Sequence, residues 1–121
     1  MIKVILESPF AGNIERNIRY ARACVRDSLL RGESPIASHL LYTQSGILND
    51  NIEEERKLGI DAGLSWHSVM DKHVFYIDYG YSNGMLYAKK KSEDMNIQIE
   101  ERYLYNECSS SDILQQLKQN V

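Results

Sequence analysis

The first thirty residues leave the chain little freedom. Ile2, Val4, Ile5 and Leu6 form an almost continuous apolar run. Such a run suits a strand covered on both faces, as in a parallel sheet. The turn Glu7-Ser8-Pro9-Phe10-Ala11-Gly12-Asn13 follows. Beyond it Ile14, Ile18, Ala21, Val25 and Leu29 recur every three or four residues, which marks one face of a helix. Arg16, Arg19, Arg22 and Arg26 fall on the other side. Asn13 is placed to cap this helix, and Arg31-Gly32 offers a basic last turn and a C′ glycine.

A buried strand, a small-residue turn and a helix present backbone N–H groups to whatever sits above the turn. The helix N-terminus also favours an anionic group there. Neither G-x-G-x-x-G nor G-x-x-x-x-G-K-[ST] occurs in the chain, so the unit is not one of the motif-defined phosphate loops. A plain β-turn-α unit without a ligand is the alternative reading of the same residues.

The rest of the chain repeats the alternation. Residues 34–42 predict a second strand, with Pro35 at its start, running into a loop over 43–51. Residues 52–70 predict a second helix with Asn51 as its cap and Glu53, Glu54 and Glu55 complementing its dipole. From Leu58 onward this helix is apolar nearly all round (Leu58, Ile60, Ala62, Leu64, Trp66, Val69), and Gly59 and Gly63 allow close approach of another backbone. A helix of that kind needs cover on several sides, and the expectation is a homo-oligomer. Residues 72–78 predict a third strand, 79–84 a glycine-containing turn, 85–95 a third helix, and 97–104 a charged edge strand. The order predicts a small Rossmann-like, flavodoxin-like α/β fold. Its parallel sheet has about four strands, helices on both faces and right-handed crossovers. Residues 1–105 make up this domain and 106–121 a C-terminal helical extension.

Composition narrows the function classes. A chain of 121 residues builds one core. Its net charge of −3 lacks the basic footprint of broad nucleic-acid binding. The basic residues are clustered, though, in the first helix and at Lys89-Lys90-Lys91, which leaves room for a local positive pocket. No apolar run reaches the ~18 residues of a membrane span, and the first residues lack the pattern of a signal peptide. Cys24 and Cys108 are far apart in sequence. The expectation is a cytoplasmic protein with reduced thiols and no membrane partner. His67 and His73 have no companions at metal-ligand spacing, so no metal is expected, and no cofactor.

In an open α/β sheet, ligands bind beyond the carboxyl ends of the strands, near a switch in strand order. There the sequence places Glu7, Ser8, Pro9, Phe10, Gly12, Asn13 and Arg16 after the first strand and His39 after the second. Asp78, Tyr79, Ser82, Asn83 and Gly84 follow the third. Aromatic rings stack on a base, carboxylates accept from ribose hydroxyls, and a helix N-terminus takes a phosphate. Each residue also has a structural reading. Glu7 is solvated or paired with Arg16, His39 is a core histidine, and Asp78 caps a turn.

The strand leading into Ser8-Pro9-Phe10, the apolar strand ending in Asp78, and the turn Ser82-Asn83-Gly84 that opens the next helix resemble the nucleoside 2-deoxyribosyltransferase superfamily over residues 1–104. Residues 7–50 also resemble a group of short phage and bacterial proteins near that superfamily. The resemblance implies a Rossmann-like fold and a nucleoside or nucleotide ligand. It also implies, for the enzymes, a nucleophilic glutamate at the start of the helix after the third strand, in a G-x-x-x-E-L-G-like setting. The corresponding stretch here, Ser82-Asn83-Gly84-Met85-Leu86-Tyr87-Ala88, holds no carboxylate. Aligning Ala88 with the small residue that closes that motif puts Gly84 in the nucleophile's place, and Glu93 and Asp94 come about two turns later. The expectation is therefore non-catalytic binding of a nucleotide or ADP-ribose-like small molecule, with sequestration of a host nucleotide signal by a phage protein as its use. One alternative is an N-glycosidic bond hydrolase or deoxyribosyltransferase acting through Asp78 or Glu7. A second is a protein-binding inhibitor that presents Trp66 and the tyrosines.

Overall fold

Four strands, β1 (Ile2–Glu7), β2 (Glu33–Ile36), β3 (Lys72–Tyr76) and β4 (Ile99–Arg102), pair in parallel in the order β2-β1-β3-β4. Four α-helices connect them: α1 (Ile14–Leu30), α2 (Ser38–Leu41), α3 (Glu53–Leu64) and α4 (Asn83–Asp94), with a 3-10 turn, Ser65–Val69, between α3 and β3. The computed structural model describes residues 1–105, so the expected C-terminal helix and Cys108 lie outside the described residues. No helix among the described residues is long and apolar enough to cross a membrane.

The apolar run of β1 behaves as its composition demands. Val4, Ile5 and Leu6 are all at most 1% exposed. Side chains alternate along a strand, so Val4 and Leu6 pack with Val74, Tyr76 and the α1 residues Tyr20 and Cys24. The opposite face carries Phe75, packed with Met85 and Ala88 of α4 and with Leu64 at the end of α3. Helices thus cover both faces of the sheet. Past β1 the chain goes first to one side and then, after β2, to the other, so the connections diverge at the carboxyl end of β1 and open a crevice there.

Three elements differ from the sequence reading. In α1 the buried positions are Asn17, Tyr20, Ala21, Cys24 and Ser28, while Ile14 and Leu29 are 45% and 51% exposed. The buried stripe is rotated by about one position because polar side chains with partners are admitted to it. Asn17 holds the Ser8–Asn13 turn through its amide, which donates to Phe10 O and Ala11 O at 2.9 and 3.0 Å. The second strand stops at Ile36, and residues 38–41 turn helical. Its pairing with β1 ends at Ile5–Ile36, and beyond that point the backbone satisfies its own groups in a turn, with Tyr42 N donating to Ser38 O at 2.8 Å. The second helix begins at Glu53 with Ile52, not Asn51, in the cap position, and ends at Leu64. There the Ser65 hydroxyl donates to Ala62 O at 2.6 Å and competes with the helical ladder. Leu58, Trp66 and Val69 remain exposed.

β4 is the charged edge strand expected, with Glu101 exposed, but its Arg102 turns inward. The Glu33 carboxylate, at the start of β2, accepts from Arg102 Nη1 at 2.7 Å and Nη2 at 2.5 Å and from Ser28 Oγ at 2.8 Å. Arg102 also donates to the Tyr76 hydroxyl at 3.1 Å, and that hydroxyl donates to Asp27 at 2.7 Å. Lys72 bridges Glu33 and Glu100 at 3.3 and 2.7 Å. The side chains of Arg102 and Glu33 are 4% and 6% exposed. This network joins the two edge strands and the C-terminal half of α1. The Arg102 guanidinium holds the Glu33 carboxyl down at about 2.

Two predictions follow from these contacts. Arg102→Met leaves Glu33 buried without its main partner and should cost about 3–5 kcal/mol in urea unfolding at pH 7. Because the folded pKa of Glu33 is depressed, its contribution is complete above its ordinary value of 4.5 and disappears as pH falls towards 2. The gap between wild type and variant should therefore narrow below pH 4.5. The second concerns the helix glycines. A Cβ at Gly63 would lie 2.9 Å from Ser38 Cβ, whereas one at Gly59 meets the tip of Leu48 at 3.2 Å and Tyr42 Cβ at an ordinary 3.9 Å. Gly63→Ala should lose about 1–3 kcal/mol by overpacking. Gly59→Ala should stay within about 1 kcal/mol of wild type, helped by helix propensity.

Candidate functional site

The crevice at the end of β1 is a cleft of about 380 Å³, within the range of small-molecule pockets. Its floor is Glu7, Ser8, Phe10, Ala11 and Gly12, the residues that leave β1. One wall is α2 and its exit, with Ser38, His39, Tyr42 and Thr43. A second is the approach to α3 and its first turns, with Leu48, Asp50, Glu55, Arg56, Gly59 and Ile60. The third is the start of α4, with Ser82, Asn83, Gly84 and Met85.

Local sequence explains how these pieces are held. Ser82 caps α4, its hydroxyl accepting from Met85 N at 3.2 Å. The N-terminal turn of α4 therefore faces the cleft with backbone donors and a partial positive charge. Gly84 contributes no side chain there, and a Cβ at that point would only just touch Ile60 Cδ1 at 3.9 Å. Gly12 turns the chain out of β1 at φ +96°, a conformation that glycine adopts without strain.

Ser8 Oγ and His39 Nε2 are hydrogen-bonded at 2.8 Å. Burial pulls the His39 pKa down, and the charge of Glu7 only partly opposes it, so the ring is neutral at pH 7. Its Nδ1 is buried without a partner among the described residues. A serine–histidine pair needs an acid behind the histidine to hold the reactive tautomer, and among the described residues this pair has none. The Glu7 carboxylate meets not Arg16 but the buried His73, with Oε1 and Nε2 3.3 Å apart.

Of the residues the sequence singled out, the cleft unites Glu7, Ser8, Phe10, Gly12, His39, Ser82, Asn83 and Gly84. Pro9, Asn13, Arg16, Asp78 and Tyr79 do not line it. Asn13 caps α1, accepting from Arg16 N at 3.2 Å. The Arg16 guanidinium lies 3.9 Å over the Tyr79 ring and donates to Asn17 Oδ1 at 3.0 Å. Asp78 is the chief correction. Its carboxylate accepts from Leu104 N at 2.7 Å, from Tyr105 N at 3.1 Å and from the Tyr20 hydroxyl. Burial keeps that phenol protonated by pushing its pKa up. The reason is parity. Two residues beyond Tyr76, Asp78 follows the α1 face, whereas Ile77 packs with Phe75 on the face of α4. Asp78 is the turn cap of its structural reading.

The α3 wall does not stand out in the sequence, where Glu55 reads as dipole complement and Arg56, Gly59 and Ile60 carry no site pattern. Their spacing alone, two adjacent pairs four residues apart, puts them on one stripe of a helix, which is the available signal. Glu55 Oε1 also accepts from Asn49 N at 3.2 Å and so ties the incoming loop to the helix. The lining carries three carboxylates, Glu7, Asp50 and Glu55, against one guanidinium, Arg56. Such a cleft suits a ligand rich in hydrogen-bond donors with few negative charges of its own.

A family model described as "Domain of unknown function (DUF7768)" matches residues 2–102, which span the whole sheet and its helices. The pheromone-processing carboxypeptidase kex1 of Pyrenophora tritici-repentis (strain Pt-1C-BFP) is 30% identical over an 81-residue alignment. That alignment covers 63% of this chain and 12% of that protein, so the chain spans only a small part of this relative's length. No solved structure matches the chain.

Asp78→Ala should behave as a stability variant. Losing a carboxylate that satisfies two backbone N–H groups and a buried phenol should cost about 2–4 kcal/mol in urea unfolding. Small-molecule binding in the cleft, measured below the unfolding transition, should be unchanged.

Proposed function

The chain belongs to the DUF7768 family, and we propose that within this family fold its cleft binds a nucleotide-like small molecule without turning it over. The reading rests on one juxtaposition. The N-terminal turn of α4, with Asn83 and Gly84, faces the same 380 Å³ cleft as Glu7, Phe10 and Tyr42. Backbone donors and Arg56 suit one phosphate, carboxylates suit ribose hydroxyls, and the rings of Phe10 and Tyr42 suit the face of a base. Three lining carboxylates disfavour a triphosphate. A nucleoside monophosphate or an ADP-ribose-like molecule is the better match. The earlier resemblance to phage proteins suggests a use, the sequestration of a host nucleotide signal.

Binding without turnover is supported by the first turn of α4, which carries Ser82, Asn83, Gly84 and Met85 into the cleft and no carboxylate, and by the lack of an acid behind His39 among the described residues. Hydrolysis of an N-glycosidic bond is the competing reading, and the place of Glu7 in the cleft favours it. Asp78 drops out of that reading because its oxygens are occupied by Leu104 N, Tyr105 N and Tyr20.

Thermal unfolding with AMP, ADP-ribose and ATP, followed by chromatography of the recovered ligand, tests the proposal. AMP or ADP-ribose at millimolar concentration should raise the melting temperature, by about 2.7 kcal/mol of added stability at a hundredfold excess over Kd. The ligand should be recovered intact. Gly84→Leu should abolish the shift while leaving the unliganded melting temperature nearly unchanged. Absence of any shift in wild type would overturn the proposal. Products that disappear with Glu7→Gln would transfer it to the hydrolase.

A further inference from the structure

We propose that Glu7 is the sugar-recognising carboxylate of the cleft, backed by a buried histidine–serine cluster, and that it makes the site select ribose over 2-deoxyribose. The inference rests on the nucleotide reading above and names the group that discriminates within it.

The cluster is built on three elements. His73 of β3 and Ser92 of α4 are both 0% exposed, and His67 of the 3-10 turn is 1% exposed. His73 Nδ1 lies 2.6 Å from Ser92 Oγ and 3.2 Å from His67 Nε2. Ser92 Oγ is also 3.2 Å from His67 Nε2. The other nitrogen of His73, Nε2, is sealed from water and lies 3.3 Å from Glu7 Oε1, in contact with it but without a hydrogen bond. His67 Nδ1 faces the sulfur of Met95 at 3.3 Å.

The tautomers follow from the carboxylate. A bare Nε2 lone pair aimed at an ionised Glu7 would be repelled, so Nε2 of His73 carries the proton and Nδ1 is the acceptor. The Ser92 hydroxyl supplies the donor to Nδ1. His67 then donates through Nε2 to Ser92 Oγ, which leaves its Nδ1 as the bare nitrogen against the thioether of Met95. The outward end of the cluster is thus the Nε2 edge of His73, which touches Glu7 Oε1 without a hydrogen bond.

This sets Glu7 apart from the other carboxylates of the cleft. Its side chain is 14% exposed, it lines the cavity, and no side-chain or backbone donor among the described residues hydrogen-bonds its carboxylate. Glu55, by contrast, already receives Asn49 N. A mostly buried carboxylate with no hydrogen-bond donor of its own among the described residues has its acceptor capacity left for the cleft. A vicinal diol supplies two O–H donors to such a group. A 2-deoxy sugar supplies one and leaves acceptor capacity unmatched, which is the kind of mismatch that discriminates strongly in a dry site.

Equilibrium binding of AMP and 2′-deoxy-AMP to the full chain tests this, with Glu7→Gln and Ser92→Ala beside wild type. AMP should bind wild type at least about tenfold more tightly than 2′-deoxy-AMP. Glu7→Gln should bring the ratio close to one by weakening AMP and leaving 2′-deoxy-AMP nearly unchanged. Ser92→Ala should lower the ratio by an intermediate amount, a change that general loss of stability would not produce, since it would weaken both ligands together. Equal binding of the two nucleotides to wild type, or a ratio that survives Glu7→Gln, overturns the selection by Glu7 and leaves the nucleotide reading standing. Failure of both nucleotides and of ADP-ribose to bind wild type overturns both. If Ser92→Ala does not fold, the Glu7→Gln ratio decides the matter alone, since Glu7 lies at the cleft rather than in the core.

Discussion

β1 is hydrogen-bonded along both edges, to β2 through Ile2–Ile5 and to β3 through Val4–Glu7, and it is packed on both faces. A strand in that position has no free backbone group and no solvent-facing side in its central residues. Its neighbours must therefore supply both the ladder and the cover. The offset between its two pairings is the important detail. β2 leaves β1 at Ile5, two residues before β3 does. The carboxyl end of β1 is thus flanked by β3 alone, and the space vacated by β2 is where α2 turns and the cleft opens.

The two faces of the sheet use buried polarity for different ends. On the α1 side, Glu33, Arg102, Lys72 and Tyr76 form a closed network with no access to the cleft. Its role is to hold the two edge strands and α1 in one arrangement, and each charge in it is answered by a partner. On the α4 side, the polar cluster is smaller, built of two histidines and a serine, and it ends at Glu7. A carboxylate at a strand end would otherwise sample several rotamers in water. The imidazole of His73 packs behind it at 3.3 Å and narrows the positions that Glu7 can take, and fewer free rotamers mean less entropy lost on binding.

Much of this was legible along the chain, and the limits of legibility have particular causes. The β1–turn–α1 unit, the Asn13 cap, the Gly32 terminus at φ +85° and the Ser82 turn before α4 were readable because each rests on local chemistry. The placement of Ser8, His39 and Gly84 near a strand end was readable from the alternating order of elements. The side of the sheet to which Asp78 belongs was not, because it depends on where the pleat of β3 stops and the turn begins. The membership of Glu55, Arg56, Gly59 and Ile60 in the site was equally hidden. An apolar helix with glycines reads the same whether its close neighbour is another subunit or, as here for Gly63, Ser38 of the same chain.

The sequence by itself determined the alternation of elements, the parallel sheet and the strand ends at which a site could form, since these follow from periodicity, capping and turn residues within a few positions of each other. Tertiary structure alone decided which titratable groups meet. His73 and Glu7 are far apart in sequence but one register step apart across β1 and β3, where Ile5 pairs with His73 and Glu7 with Phe75. Such a meeting is a property of strand register and side-chain parity, and neither is written in any single segment of the chain.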